Sequence, residues 1–405
     1  MEPFVIEGAE VILPDGVARV SVRVAGGRID GLDVARDGAR VVDASGLTLA
    51  PALVDIHGDA FERQLMPRPG VFTPLDVALL ETDRQLAGNG IATAYHALTL
   101  SWEPGLRSIE RAEGVVDRLG ALEGRLAVEN RLQLRWETFC FEARPLIGRA
   151  LTAPLTPALA FNDHTSMAML DPDTALQDRP FEFDPAFPVG DLREAAMLDK
   201  LDGRVERSGL DHAGYIELLG QVWDRRPQVG DVIAEVAEQS RLAGATMLSH
   251  DDSQVTTRAF YRGHGARISE FPMNARVAEA ARAEGDWIVF GAPNVLRGGS
   301  HLGSPSAAEM VDRGLCDILA SDYFYPAMLA AIARLHAERR APLFLLWPLV
   351  ADNPAQASGL ADRGRIAPGL RADLVLLDWP EGGTPSPLLT LSGGRVAHAA
   401  RGFGL

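Results

Sequence analysis

The stretch LVDIHGDAFE, Leu53 to Glu62, sets His57 and Asp59 two residues apart at the end of an apolar run, with Pro51 ahead of it and Gly58 inside it. Residues i and i+2 of a strand share a face. The imidazole and the carboxylate can therefore reach one object together, and a divalent metal ion suits such a pair. The pattern recurs. His96, Glu137, Asp163 with His164, His250 with Asp251 and Asp252, and Asp322 each close a further apolar run. A lone histidine at a strand end is more often a hydrogen-bonded core residue, but repetition at strand ends is harder to assign to packing. Three histidines with three carboxylates suit one or two divalent ions such as Zn²⁺ or Mn²⁺. Such an ion brings the pKa of its bound water toward neutrality. A further carboxylate can orient or deprotonate that water, and Asp322, followed by Tyr323, is the candidate for this acid/base role. Asp251-Asp252 is read as orienting ligands rather than binding the ion.

A second kind of chemistry lies in GAPNVLRGGSHLGSPSAAE, Gly291 to Glu309. Arg297 offers a planar fork suited to phosphate, and Gly298, Gly299 and Ser300 leave backbone amides open to an anion. Ser304-Pro305 opens a helix whose N-terminus also favours negative charge. A plain glycine loop is the bland alternative. Arg63 and Arg68, just after the first His-x-Asp pair, add candidate cationic contacts.

These residues need a frame that brings them together. Eight apolar strand-like runs recur, at 52–57, 91–98, 132–137, 158–164, 245–250, 266–271, 286–293 and 316–322, most of them followed by Ala- and Arg-rich helical stretches. Such alternation indicates parallel strands buried on both faces. Eight units indicate an α/β fold of the (β/α)8 TIM-barrel type, whose active sites sit at the C-terminal ends of the strands; a doubly wound open sheet is the alternative. Residues 165 to about 235, acidic and with scattered prolines, read as a long insertion after the fourth strand. Residues 1–51 and 360–405 carry short alternating runs joined by Asp15-Gly16, Gly26-Gly27 and Gly393-Gly394, good tight-turn pairs. The two ends are expected to form one small β-sandwich domain, with 52–359 as the barrel.

The 405 residues are 47% hydrophobic and 23% charged, with a formal net charge of −16, which argues against a general nucleic-acid or anionic-membrane surface. Cys140 and Cys316 are the two cysteines, too few for a disulfide scaffold or a cysteine zinc site. The first residues lack the layout of a signal peptide, and the apolar run Ala341 to Ala351 is short and broken by Pro348, so a cytoplasmic location without a membrane partner is expected.

The β-rich ends around a barrel, the His-x-Asp after the first strand and GRIAPGLRADLVLLD together resemble the amidohydrolase superfamily, over essentially the whole chain. LQLRWE, SHDD, ISEFP, GAPNVLRGGSHLG and DILASDYFYPAML are the most specific pieces, and they resemble a branch that cleaves a sugar triphosphate in phosphonate breakdown. The resemblance implies metal ligands at His57, Asp59, Glu137, His164 and His250, with Asp322 as a metal-side acid/base, and Arg297, the following glycines and His301 on the phosphate side. Many members bridge two metals with a carbamylated lysine. The single lysine, Lys200, lies in a hydrophilic segment away from any strand end, so Glu137 is the expected bridge. The implied cofactor is a divalent metal, Zn²⁺ or Mn²⁺, as one ion or two. The implied partner is a small phosphorylated substrate, and a homodimer stays open because barrels of this kind often pair. Two further readings stand beside it: hydrolysis of a C–N bond in a cyclic amide or nitrogen heterocycle, and a non-catalytic barrel that binds a partner or anion. His96 stands where this branch tends to have aspartate, and the 165–235 insertion departs from its pattern.

Overall fold

The computed structural model describes residues 2–300 and 303–403. Its central sheet has eight strands in sequence order: Leu53–Gly58, Ile91–Leu100, Glu129–Glu137, Ala158–Asn162, Met247–His250, Ile268–Glu270, Trp287–Gly291 and Ile318–Ala320. All seven neighbouring pairs are parallel. The first and last strands meet at a parallel bridge between Gly58 and Asp322, which brings the sheet round into a barrel. This is the (β/α)8 arrangement expected from the eight apolar runs.

Each strand is followed by a helix, in order Leu75–Gly88, Ile109–Leu122, Arg144–Ala150, Arg226–Leu242, Val255–Gly263, Ala275–Ala283, Ala307–Asp312 and Ala327–Ala337. The fourth shows why. Val229, Val232, Ile233, Val236 and Ala237 are its buried positions, spaced as one helical stripe, and Pro227 at its start fits the first turn, where no amide partner is lost. It packs with Leu159 and Phe161 of the fourth strand in one apolar cluster. The insertion therefore ends earlier than its composition indicates. Its own part carries two helices, Ala195–Ser208 and His212–Trp223, which pack through Leu201, Val205, Tyr215 and Leu219 against Ala168 and Met169.

The terminal segments form two further sheets. One has four strands, drawn from Phe4–Glu7, Val22–Ala25, Arg28–Leu32 and Arg40–Asp43. The other has six and joins Glu10–Leu13, Gly16–Ala18 and Thr48–Pro51 to the C-terminal Leu374–Asp378, Ser386–Ser392 and Arg395–Ala399. Phe4, Ile6, Val22 and Ile29 of the first meet Val11, Leu49, Leu374 and Leu391 of the second in one core. The hairpins at Gly26-Gly27 and Gly393-Gly394 turn with all four φ values positive, from 56° to 80°, the conformation that a two-residue hairpin turn demands and glycine supplies freely. The third expected turn is displaced by one residue: Gly16 already belongs to a strand, and Pro14-Asp15 makes the corner. Among the described residues no helix is long and apolar enough to cross a membrane.

Candidate active site

Barrel closure itself assembles the first group of side chains. Asp322 N donates to His57 O at 2.9 Å and Asp59 N donates to Asp322 O at 2.9 Å. The first strand is bulged here, since Asp55 pairs with Ala94 while Gly58 pairs with His96, and a bulge re-aims the side chains around it. His57, Asp59 and Asp322 then offer ligand atoms that all lie within 4.8 Å of one another. Burial, and after it the neighbouring Asp59 carboxylate, push the Asp322 carboxyl up to about 7. Burial opposes ionisation of Asp59 too, but Arg135 and His57 outweigh it and hold that carboxyl below its ordinary range.

A second group, equally close, is His164, His250 and Asp251. Asp251 Oδ2 stands 3.4 Å from His250 Nε2 and 3.8 Å from His164 Nε2. Burial raises the Asp251 carboxyl, and the two imidazoles more than reverse that, to about 2. Asp251, Phe271 and Asp322 hold φ values of 58°, 53° and 55°, a left-handed conformation costly for non-glycine residues. Asp251 and Phe271 follow barrel strands directly, and Asp322 follows the last strand by one residue more. Phe271 sets its ring edge against both His57 and His250, at centroid distances of 4.9 and 5.3 Å.

Two buried carboxylates stand behind the histidines. Glu270 Oε2 lies 2.8 Å from His250 Nδ1 and 3.0 Å from His57 Nδ1, while Gln133 Nε2 donates to Oε1 at 2.8 Å. Burial would raise the Glu270 carboxyl, yet the two imidazoles hold it well below the carboxylate range. A carboxylate on Nδ1 keeps the proton there and leaves Nε2 as the donor to an ion. Glu137 does the same for His164. Its Oε1 is 2.7 Å from His164 Nδ1, and the carboxylate also accepts from Asn162 Nδ2 at 2.8 Å and His164 N at 2.9 Å. The residue expected to bridge two ions thus has both oxygens engaged by the end of the fourth strand, and among the described residues it lies outside the two groups above and outside a third, His57, His250 and Glu270, that could also hold an ion. Lys200 donates to Leu170 O within the insertion, away from these groups.

Between the first two groups stands Arg135, buried, with Nη1 donating to Asp59 Oδ2 at 3.2 Å and Nη2 3.2 Å from His250 Nε2. The nitrogen and oxygen donors gathered here fit a hard-to-borderline divalent ion such as Zn²⁺ or Mn²⁺, and the fixed Nδ1 contacts point to the same use. His96 belongs elsewhere: its Nε2 is 2.7 Å from Asn130 Oδ1 and its ring meets Phe61 edge-on. Asp163 caps the helix that His164 opens, accepting from Ser166 N, and Asp252 bonds Ser249.

A cavity of about 500 Å³ opens over the cluster. His57, Asp59, His164, His250, Asp251 and Asp322 line it together with Arg107, Arg135, Arg207 and Arg297. Gly299, Ser300 and Tyr323 are also on its wall. Gly298 caps the helix Ala292–Arg297 with φ 82° and is not on the wall. Arg63 and Arg68 are exposed and outside it, although the Arg63 guanidinium lies 5.8 Å above the Tyr323 ring. His301 lies outside the described residues. Sequence reading missed Glu270, Arg135, Arg107 and Arg207. For the first two, ISEFP and LQLRWE were the available signals; Arg107 and Arg207 lie off the strands altogether. A second cavity of about 290 Å³, beside the helix Ile109–Leu122, shares none of the cluster residues.

No protein-family model matches the sequence. The chain is 29% identical over 380 residues to the alpha-D-ribose 1-methylphosphonate 5-triphosphate diphosphatase of Escherichia coli (strain K12), covering 92% of this chain and 94% of that protein. It is 30% identical over 345 residues to an adenine deaminase of Methylobacterium sp. (strain 4-46), covering 80% of this chain and 56% of that protein. Among solved structures, a beta-aspartyl dipeptidase from Fervidobacterium islandicum AW-1 superposes with a TM-score of 0.62 at 14% identity, over 98% of this chain and 97% of that one, and so shares its fold.

Proposed function

We propose that the chain is a hydrolase of the amidohydrolase superfamily, of the kind that releases diphosphate from a sugar triphosphate, with α-D-ribose 1-methylphosphonate 5-triphosphate as the substrate. The observation that carries this reading is that the candidate ligand cluster and four arginines line one cavity. A neutral amide or heterocycle has no use for four guanidinium groups, whereas a triphosphate does. The likeness to the diphosphatase, which runs through nearly all of both chains, supports it.

His57, Asp59 and Asp322, with His164, His250 and Asp251, are the residues to hold a divalent ion, Zn²⁺ or Mn²⁺, one or two. When bound, it supplies Lewis acidity and brings the pKa of its water toward neutrality. Asp322 takes the proton as the water oxygen bonds to phosphorus, and returns it to the bridging oxygen as that P–O bond breaks. Its place at the rim beside His57 and Asp59 suits both steps. Arg135, fixed by Asp59 and placed among the ligands, offers positive charge to the phosphoryl oxygens as they gain charge. Arg297, Gly299 and Ser300 hold the chain of phosphates on one wall. The products are diphosphate and the sugar 5-phosphate. A small phosphorylated metabolite as the partner, a cytoplasmic setting, and no nucleic acid or membrane partner complete the reading; a homodimer is compatible with it.

The test is diphosphate release from that triphosphate, abolished by chelation and restored by Zn²⁺ or Mn²⁺. Absence of diphosphate from metal-replete protein rules the reading out. A second reading, C–N hydrolysis, draws on the likeness to adenine deaminase. Ammonia release from adenine that survives Arg297→Ala unchanged would favour it.

A further inference from the structure

Two of the cavity arginines are held in a way that carries the reading above further. Arg107 is gripped on one edge by Glu62, with Nε and Nη2 each donating at 2.9 Å to a separate carboxylate oxygen. Arg207, from the insertion helix Ala195–Ser208, is gripped on the same edge by Glu103, at 3.3 Å from Nε and 2.8 Å from Nη2. Among the described residues, Nη1 of neither has a hydrogen-bond partner. Glu103 is itself buried and held by Arg204 Nη1 at 3.1 Å and by the Tyr215 hydroxyl at 2.6 Å. Arg107, Arg204 and Arg207 thus share Glu62 and Glu103 as hydrogen-bonded partners, with Asp59 and Glu137 adding negative charge beyond them. The guanidinium planes of Arg107 and Arg207 are fixed before any ligand arrives. Preorganised forks of this kind bind tetrahedral anions without losing side-chain freedom.

Position separates this pair from Arg297. Arg107 follows the second barrel strand and Arg207 belongs to the insertion after the fourth, whereas Arg297 follows the seventh, across the ring from the third. We propose that Arg107 and Arg207 form a second anion subsite in the cavity, which takes a phosphoryl or phosphonyl group at the end of the substrate remote from Arg297. The insertion thereby selects substrates that are anionic at two places. The inference rests on the triphosphate reading, and the occupant is either the outer part of the triphosphate or the phosphonate of the sugar.

The experiment is calorimetric binding of inorganic diphosphate and of methylphosphonate to metal-replete protein, wild type against Arg207→Gln and Arg107→Gln. One of the two probes weakens about 10-fold or more in both variants while the other holds, and the affected probe identifies the occupant. Both probes binding the variants within about twofold of wild type, or neither binding wild type, overturns the proposal. Should Arg207→Gln not fold, Arg207→Lys keeps the charge, loses the fork, and is read in the same way. Turnover separates the two claims. Arginine-dependent binding without diphosphate release sinks the reaction and leaves the subsite; diphosphate release with no arginine dependence does the reverse.

Discussion

The inner and outer rings of the cavity are built on opposite plans. The inner ring takes its residues from strand ends or the positions next to them, and the closure of the barrel and the parallel register fix where each one goes. The outer ring takes Arg107, Arg207 and Arg297 from helices and connections, and holds the first two by carboxylates that come from other connections. The difference teaches that the chemistry of such a barrel is set by its frame, while its choice of substrate is set by what is laid over the frame. Inner-ring changes should therefore remove catalysis, and outer-ring changes should alter which anion is held.

The sharpest break is Asp322→Asn. It removes the group proposed to move the proton and a candidate ligand together, so kcat for diphosphate release is expected to fall by about 1,000-fold or more. The comparison fails if the variant stays within tenfold of wild type. Glu270→Gln comes next. It unfixes the Nδ1 protons of His57 and His250, and a loss of about 10- to 100-fold in metal affinity is expected, measured by competition with a chromogenic chelator. An unchanged affinity would mean that Glu270 only fills space. Arg297→Ala should raise KM for the triphosphate about tenfold with metal content unaltered, checked by steady-state kinetics beside metal analysis.

Glu103→Gln probes the scaffold of the outer ring. Burial alone would raise the Glu103 carboxyl, but Arg207 and Arg204 bring it down to about 2, against an ordinary 4.5. A depressed carboxyl stabilises the fold above its unfolded pKa and loses that contribution as pH falls through the folded value. The wild type is thus expected to be more stable than the variant by about 3 kcal/mol at pH 7, with the gap closing between pH 4.5 and 2. Denaturant midpoints across that range check it, and a gap that does not depend on pH would sever Glu103 from its arginines.

How far the sequence reaches follows the same division. The eight strands are legible because each is a short apolar run buried on both faces, and ALVDIH or CDILASD shows that directly. From those runs the barrel follows, and from the barrel the meeting of His57, Asp59, His164, His250 and Asp322. Glu137 illustrates the limit: its strand-end position is readable, but which ring atom of which histidine it touches depends on side-chain packing at the next strand. Glu270 closes the sixth strand, whose run is legible, but its contacts with Nδ1 of His57 and His250 depend on side-chain packing across the barrel. Arg63 and Arg68 follow His57 closely along the chain yet lie outside the cavity lining, Arg63 against Tyr323 of its wall. Arg207 could not be placed, since its position depends on how Leu201, Val205 and Tyr215 pack an insertion with no strand to index it.

The backbone bonds that join His57 and Asp59 to Asp322 have a consequence for how the protein ages and fails. The seam of the barrel carries half of the candidate ligand residues, His57 and Asp59 on one side and Asp322 on the other. Parting the first strand from the last scatters the donors in that same motion, and a bound ion acts as a clasp across the join. Heat and chelator are then two hands on one latch: stripping the ion should lower the melting temperature, and warming should release the ion at the temperature where the strands part and no sooner.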